Sequence, residues 1–411
     1  MKLDRNNLNS FLRLGYFLDY SNPRCRPGLR GIDKARYADR ARGELAALGI
    51  AALKRAIQKS FRPGRKNVVP LSGGLDSRAI LSGLLELTPA ENITAYTYGA
   101  EWTQDFRIGR LVARAAGVKH VAYPLSPYTT GMDELLDISE RIDRQTVLFH
   151  NPPLNRLTEL AGDAVIWSGF WGDPVTGSHL PKKALRSLPE EKARFIRDNT
   201  FVRTKITDPA YKDEDLFCLI EAPGPGTGLT AAEQLDVMNR MPKYIAPHVL
   251  MRGFEYATPF MEKEFFDFYY SLPDTLRVRQ NLYKNCLLGA FPELFRLPCK
   301  NDFGAPLNSF IKKYYEMAKI GFSRTVNHFY PLIPDTRLNY TDFGTEMREN
   351  MPFADIIRMN IADLEKRRIL DWLDPDVLWR DHLNKKADNA SALLVLASLE
   401  IHMKSEETGK R

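Results

Sequence analysis

The sequence predicts an α/β fold, a parallel sheet flanked by helices, with a helical segment before it and a helical region after it. Three observations carry this. Short apolar strands alternate with amphipathic helices between residues 67 and 169. The first strand runs directly into the small-residue turn Ser72-Gly73-Gly74-Leu75-Asp76-Ser77. The alternation fades after about residue 180, and from residue 243 the pattern is largely helical and rich in aromatics. The expected division is residues 1–66, 67–310 and 311–411.

In chain order, residues 1–66 read as mostly helical, with Ile50, Leu53 and Ile57 at helical spacing. Phe61-Arg62-Pro63-Gly64 breaks that helix. Asn67–Leu71 reads as a short buried strand, and Leu81, Leu84 and Leu85 give the next helix its apolar face. Ile93–Tyr98 is a second strand, rich in β-branched and aromatic residues. Ile108, Leu111, Val112 and Ala115 mark a second helix, ended by Gly117. His120–Leu125 and Ala164–Trp167 are the third and fourth strands. Such alternation implies helices on both faces of a parallel sheet. Residues 183–240 are polar, and Pro223-Gly224-Pro225-Gly226 is expected to form a flexible loop.

The chain has 411 residues, 44% of them hydrophobic and 27% charged, enough for one large core or two ordinary ones. No apolar run reaches the length of about 18 residues that a membrane span requires, so none is expected. The start, Met1-Lys2-Leu3-Asp4-Arg5, lacks the apolar stretch of a signal peptide. Cys25, Cys218, Cys286 and Cys299 are scattered, without the spacing of a zinc site or redox pair. A reduced, cytoplasmic setting is the default expectation. The net charge of +7 is concentrated in residues 1–66, which carry 16 Lys/Arg against 5 Asp/Glu. That excess suits an anionic partner or a solvated helical surface. No aromatics interleave with it as in RNA-binding modules, so nucleic acid is not the expected partner.

The chemistry centres on Leu71-Ser72-Gly73-Gly74-Leu75-Asp76-Ser77. Glycines between a strand and a helix let the backbone approach a phosphate closely, and the free N–H groups of a helix start face an anion. Ser72 and Ser77 add hydroxyl donors, while Asp76 suits a magnesium ligand. No Gly-Lys-Ser/Thr follows, which excludes a Walker loop. The alternative is a capping turn in which Ser and Asp serve only the backbone.

Ser-Gly-Gly-x-Asp-Ser resembles the pyrophosphate loop of the ATP pyrophosphatases, which include asparagine, β-lactam, GMP, NAD and tRNA-lysidine synthetases. Further segments are similar to asparagine synthetases in particular. Ser168-Gly169-Phe170-Trp171-Gly172-Asp173 resembles Ser-Gly-x-Gly-x-Asp, with Trp171 in place of the second glycine. Glu255-Tyr256-Ala257-Thr258-Pro259-Phe260-Met261-Glu262 resembles Glu-x-Arg-x-Pro-Phe-Leu-Asp, with Ala257 in place of the arginine. Leu272-Pro273, Lys284 and Leu297–Gly304 follow in the family's order, and the likeness covers roughly residues 10–310.

This resemblance implies an adenine nucleotide alpha-hydrolase-like fold and an ATP-dependent ligase that forms an acyl adenylate and releases pyrophosphate. It implies that Leu71, Ser72, Gly73, Gly74, Asp76, Ser77, Tyr98, Gly99, Ser168 and Gly169 hold ATP, and that Asp76 and Asp173 bind Mg²⁺. It assigns Lys300, and with it Lys284, to pyrophosphate and the developing transition state. Cations aimed at such a leaving group are worth roughly 3–4 kcal/mol per donor.

The sequence departs from the family in two places. Residue 2 is lysine where a glutaminase domain begins with cysteine, and only about 70 residues precede the loop. The expected nitrogen source is therefore free ammonia, an amine substrate, or a separate glutaminase or biosynthetic partner. Phe170 occupies the place of the glutamate that handles the ammonia proton, so a general base must lie elsewhere or be unneeded. A small-molecule carboxylate and a nitrogen nucleophile are the expected substrates. A tRNA-modifying ATP pyrophosphatase and a non-catalytic nucleotide-binding protein are the alternatives.

Overall fold

The computed structural model describes residues 3–409 apart from 23, 24, 26, 27, 30, 126–129, 182–184, 223, 225, 308 and 330–334. Lys2 and the two prolines of the expected 223–226 loop lie outside the described residues.

Five parallel strands form the sheet, in the order β3-β2-β1-β4-β5. They are β1 (Asn67–Pro70), β2 (Ile93–Gly99), β3 (Lys119–Pro124), β4 (Val165–Trp167) and β5 (Glu255–Ala257). The first four coincide with the predicted strands to within a residue or two. The fifth falls inside the stretch read as helical. Its three residues are too few to display an alternating pattern, and pairing with Val165–Trp167 defines it. The chain steps outward from β1 to β2 to β3, then returns to the other side of β1 for β4. Where the order reverses, a crevice opens at the C-terminal ends of β1 and β4.

The period-2 pleat sorts neighbouring residues to opposite faces. Val69, Ile93, Ala95, Val165 and Trp167 enter the larger core, while Val68, Tyr96 and Ile166 enter a smaller one on the other side. Helices cover both faces. Helices α1 (Arg5–Leu14) and α2 (Arg42–Ser60) precede the sheet, and the residues between them are mainly non-helical, within a segment that the sequence reads as mostly helical. Gly15, at φ 77°, caps α1 in the left-handed conformation. Helix α2 joins α3 (Asp76–Leu85) on the larger core. Their approach is close: a Cβ on Gly83 would lie 2.4 Å from Ile57 Cδ1. Helix α4 (Gln104–Ala115) follows β2, and α5 (Met132–Arg141) and α6 (Leu154–Ala161) lie between β3 and β4. Leu157 and Ala161 of α6 close the second face.

The expected segments do not have separate cores. Leu8, Phe11 and Leu12 of α1 share one apolar cluster with Leu135 and Ile138 of α5 and with Leu393, Leu394, Val395 and Leu396 near the C-terminus. The helix Ala390–Thr408 is buried along most of its length, including the fully buried His402. Its ring is bridged by Ser139 Oγ at 2.7 Å and Thr146 O at 2.8 Å. Burial pushes this imidazole down to about 3.

The folded state therefore holds His402 neutral while the unfolded chain protonates it near pH 6.5. Stability is fully present above that pH and falls as the pH drops from 6.5 toward 3, by up to about 1.4 kcal/mol per pH unit from this group. Urea unfolding between pH 7 and 5 should show the slope, reduced in a His402→Asn variant. An identical slope in both chains would remove His402 as its source.

Candidate active site

The crevice at the β1/β4 reversal is a cavity of about 490 Å³. Its wall includes Ser72, Gly74, Asp76, Ser77, Tyr98, Ser168, Gly169, Asp173 and Lys300. Most of the residues assigned from sequence to nucleotide and metal are thus gathered at the C-terminal ends of adjacent parallel strands.

The β1 loop is fixed by hydrogen bonds at its ends. Leu71 N donates to Tyr96 O at 2.7 Å, and Thr97 Oγ1 donates to Leu71 O at 2.7 Å. Ser77 Oγ accepts from Ser72 N at 3.3 Å, and Ser72 Oγ accepts from Gly74 N at 3.2 Å. Gly73 N donates to Asp105 Oδ1 at 3.1 Å. The loop forms a turn at the start of α3, with Ser72 and Ser77 on the cavity wall.

Across the crevice runs the β4 loop. Ser168 N is tied to β5 through Ala257 O at 2.9 Å, and the short helix α7 (Gly172–Thr176) begins four residues later. Trp171 has φ 75°. The backbone adopts the left-handed conformation that favours glycine, at a cost of about 1–2 kcal/mol for an L-residue. The Trp171 ring is buried against Phe170 and Phe266, at centroid distances of 5.5 and 5.9 Å, and this packing offsets the strain. Phe170 is itself 3% exposed, so its ring is part of the core as well as of the cavity wall.

Asp76 lies where the two loops touch. A Cβ on Gly169 would lie 3.1 Å from Asp76 Cβ, and one on Gly172 would lie 2.3 Å from Asp76 Oδ2. Tyr283 Oη donates to Asp76 Oδ1 at 3.1 Å, and Gln280 Nε2 donates to Asp173 Oδ1 at 3.1 Å. Both donors are neutral, and among the described residues neither carboxylate has a salt-bridge partner. Burial, and next the negative charge of Asp173, raise the Asp76 carboxyl well above its usual range. A buried carboxyl made costly to ionise by a neighbouring carboxylate, both on the cavity wall, fits a hard divalent cation with oxygen ligands. Among the described residues no group of three or more His, Cys, Asp or Glu could hold a metal by itself. Such an ion would complete its shell with oxygens from water, backbone carbonyls or a bound ligand.

Lys300 reaches the loop from the far end of the sequence. Its backbone N–H donates to Gly73 O at 2.9 Å, and its ammonium meets Asp105 and Asn339. The tight turn around it is closed by Cys299 N to Ala305 O at 3.0 Å and Gly304 N to Cys299 O at 2.9 Å. Arg78, fully buried on α3, donates to Pro298 O at 2.7 Å and to Leu294 O at 3.2 Å, fastening the approach to that turn onto the loop's own helix. Lys284 is not brought to the cavity wall. It pairs with Asp302 Oδ1 at 3.3 Å, which Lys313 also meets at 2.7 Å, so its charge is spent within the turn that carries Lys300.

Tyr98 and Gly99 end β2 as expected, but Tyr340 covers them. Its ring stacks on Tyr98 at 5.3 Å and on His150 at 5.3 Å. A Cβ on Gly99, at φ 137°, would lie 2.8 Å from Tyr340 O. Asp105, Asn339, Tyr340 and His179 also line the cavity and were not singled out from the sequence. No spacing could reveal them, because they arrive from separate elements. For Asp105, its place at the start of the helix after β2 was the only local signal.

The model of the asparagine synthase family matches residues 50–316 of the chain. A probable glutamine-hydrolysing asparagine synthetase of Acanthamoeba polyphaga mimivirus is 26% identical over 168 residues, covering 38% of this chain. The matched part spans 30% of that relative's length.

The repulsion at Asp76 has a measurable sign. A carboxyl whose pKa is raised on folding destabilises the fold at any pH above its unfolded value, so removing the charge should help at pH 7. Asp76→Asn, free of added metal, should unfold at a higher urea concentration than the parent, by on the order of 1 kcal/mol. A clear loss of stability would mean that the carboxylate is needed by the apo fold.

Proposed function

The chain belongs to the asparagine synthase family, and from that premise we propose that it is an ATP-dependent ligase that activates a carboxylate as an acyl adenylate and passes it to a nitrogen nucleophile. The observation that carries this reading is the convergence of the β1 loop, the Asp76 and Asp173 carboxylates and the Lys300 ammonium on one cavity at the strand-order reversal.

The proposed division of labour follows from the side chains. Backbone N–H groups of the 72–74 turn and the Ser72 and Ser77 hydroxyls take the β- and γ-phosphates. In this structure Asp105 accepts from both Gly73 N and Lys300 Nζ, the same donors that a phosphate would engage. Arrival of the nucleotide exchanges one anion for another on a site already shaped for it. Asp76 and Asp173 would hold Mg²⁺, which supplies charge neutralisation for the phosphates. Lys300, restrained by its backbone bond to Gly73, stabilises the pyrophosphate as it leaves. Lys284 acts at one remove, holding Asp302 and thereby the turn. The aromatic end of the cavity, with Tyr98 and Tyr340, suits the adenine. Phe170 gives the reaction centre an apolar wall, which suits an organic amine better than ammonium.

Turnover assays across a panel of carboxylic acids, each with ammonium or a primary amine, should yield AMP and pyrophosphate. ADP and phosphate as products would overturn the adenylation reading. Lys300→Ala should lower kcat by roughly 10²-fold or more with little change in ATP affinity, since the interaction matters most in the transition state. An unchanged rate would remove Lys300 from the mechanism. Aspartate with ammonium should be a poor pair. Asparagine formed on the order of 1–10³ per second would show that Phe170 does not shift the acceptor preference.

A further inference from the structure

The ligase reading leaves one step without a residue. An amine reaches the site largely protonated and must lose a proton to attack, yet Phe170 cannot take it. His179 stands on the wall shared by the main cavity and a second, more polar cavity of about 310 Å³. It is about one-third exposed, whereas its partner Asp236 is 13% exposed. Asp236 Oδ2 lies 2.8 Å from His179 Nδ1. Asp236 and Arg240 sit on the π-helical stretch Asp236–Ile245, with Arg240 Nη1 3.7 Å from Asp236 Oδ1, so the carboxylate is gripped from both sides. A proton on Nδ1, donated to Asp236, leaves the Nε2 lone pair available. Among the described residues Nε2 has no hydrogen-bond partner. The charges that reach His179 are those of Asp236, Arg240 and Asp173; the two carboxylates outweigh burial and Arg240 and raise the imidazole above its usual value. The other cavity histidine, His248, is driven down to about 4 by burial, which makes it the weaker base.

We propose that His179, oriented by Asp236, is the general base of the amide-forming step. This rests on the ligase reading above. His179 Nε2 takes the ammonium proton of the bound amine, the freed nitrogen then bonds to the acyl carbon, and its second proton passes to solvent. The bond from that carbon to the AMP phosphate oxygen then breaks, and its electron pair leaves with AMP. The imidazolium returns its proton to solvent. Asp236 is a positioning residue, which fixes the tautomer and supports the imidazolium as it forms.

Hydroxylamine separates the steps, because it is largely unprotonated at neutral pH and traps an acyl adenylate as hydroxamate without a base. The full chain, His179→Gln and Asp236→Asn are assayed with Mg²⁺–ATP and aspartate, glutamate, succinate or an N-acyl amino acid, using either hydroxylamine or methylamine. Amide formation with methylamine should fall by about 10²–10⁴-fold in His179→Gln, and hydroxamate formation by less than about tenfold. Asp236→Asn should show the same split to a smaller extent. An equal loss with both nucleophiles, or no loss with either, overturns the assignment of His179. A wild-type chain that forms no hydroxamate from any of these acids overturns the ligase reading itself, and this proposal with it. Matched thermal unfolding of the three chains excludes misfolding as the cause of a loss.

Discussion

The site depends on one steric constraint, the contact between the β1 and β4 loops over Asp76. Gly172 leaves no room for a side chain, since its Cβ would fall 2.3 Å from the carboxylate. Gly169 packs on the same residue. Small residues at these points let two parallel strands deliver their loops to a common spot, and the strand-order reversal opens the cavity just above it. The β4 loop is braced from behind. Gly177, at φ 97°, lies against Arg277 O, and the Arg277 guanidinium donates to Glu233 Oε1 at 2.6 Å and to Val175 O at 3.1 Å. Both charges of that ion pair are nearly inaccessible, so removing either partner would leave an uncompensated buried charge. The short helix α7 is thereby held against the region that carries Tyr283 and Gln280.

Charge at the site is arranged around an anion. The loop N–H of Gly73 and the ammonium of Lys300 converge on Asp105, while Asp76 and Asp173 face each other with only neutral donors. This arrangement is poor for stability at Asp76 and well suited to a ligand that brings both phosphates and a cation. The Asp105 carboxylate keeps the Gly73 N–H and the Lys300 ammonium satisfied, which spares the fold the cost of leaving them unpaired.

The C-terminal residues complete the cavity. Asn339 reaches the Lys300 ammonium, and Tyr340 stacks between Tyr98 and His150. The helix Ala390–Thr408 packs in the same core as α1 and α5, so the last part of the chain shares its packing with the first.

The sequence by itself determined the four leading strands, the parallel architecture, the loop at residues 71–77 and the second loop at 168–173. Each is a local pattern: apolar runs of strand length, glycines at turns, and side chains of fixed chemistry at short spacing. The family resemblance added Lys300 to the same site, where its backbone bond to Gly73 puts it. Only the tertiary structure decided the rest. The strand β5 exists through its pairing with β4. The Lys284 charge is absorbed by Asp302 instead of reaching the cavity. Asp105, Asn339, Tyr340 and His179, the last held by Asp236, meet at the site from segments separated by tens to hundreds of residues. Arg78 holds the Lys300 turn through backbone carbonyls, whose positions no side-chain pattern records. Local propensity fixes which elements form, whereas the neighbours of a charged or aromatic side chain are set by how those elements pack, and that information lies in no single stretch of sequence.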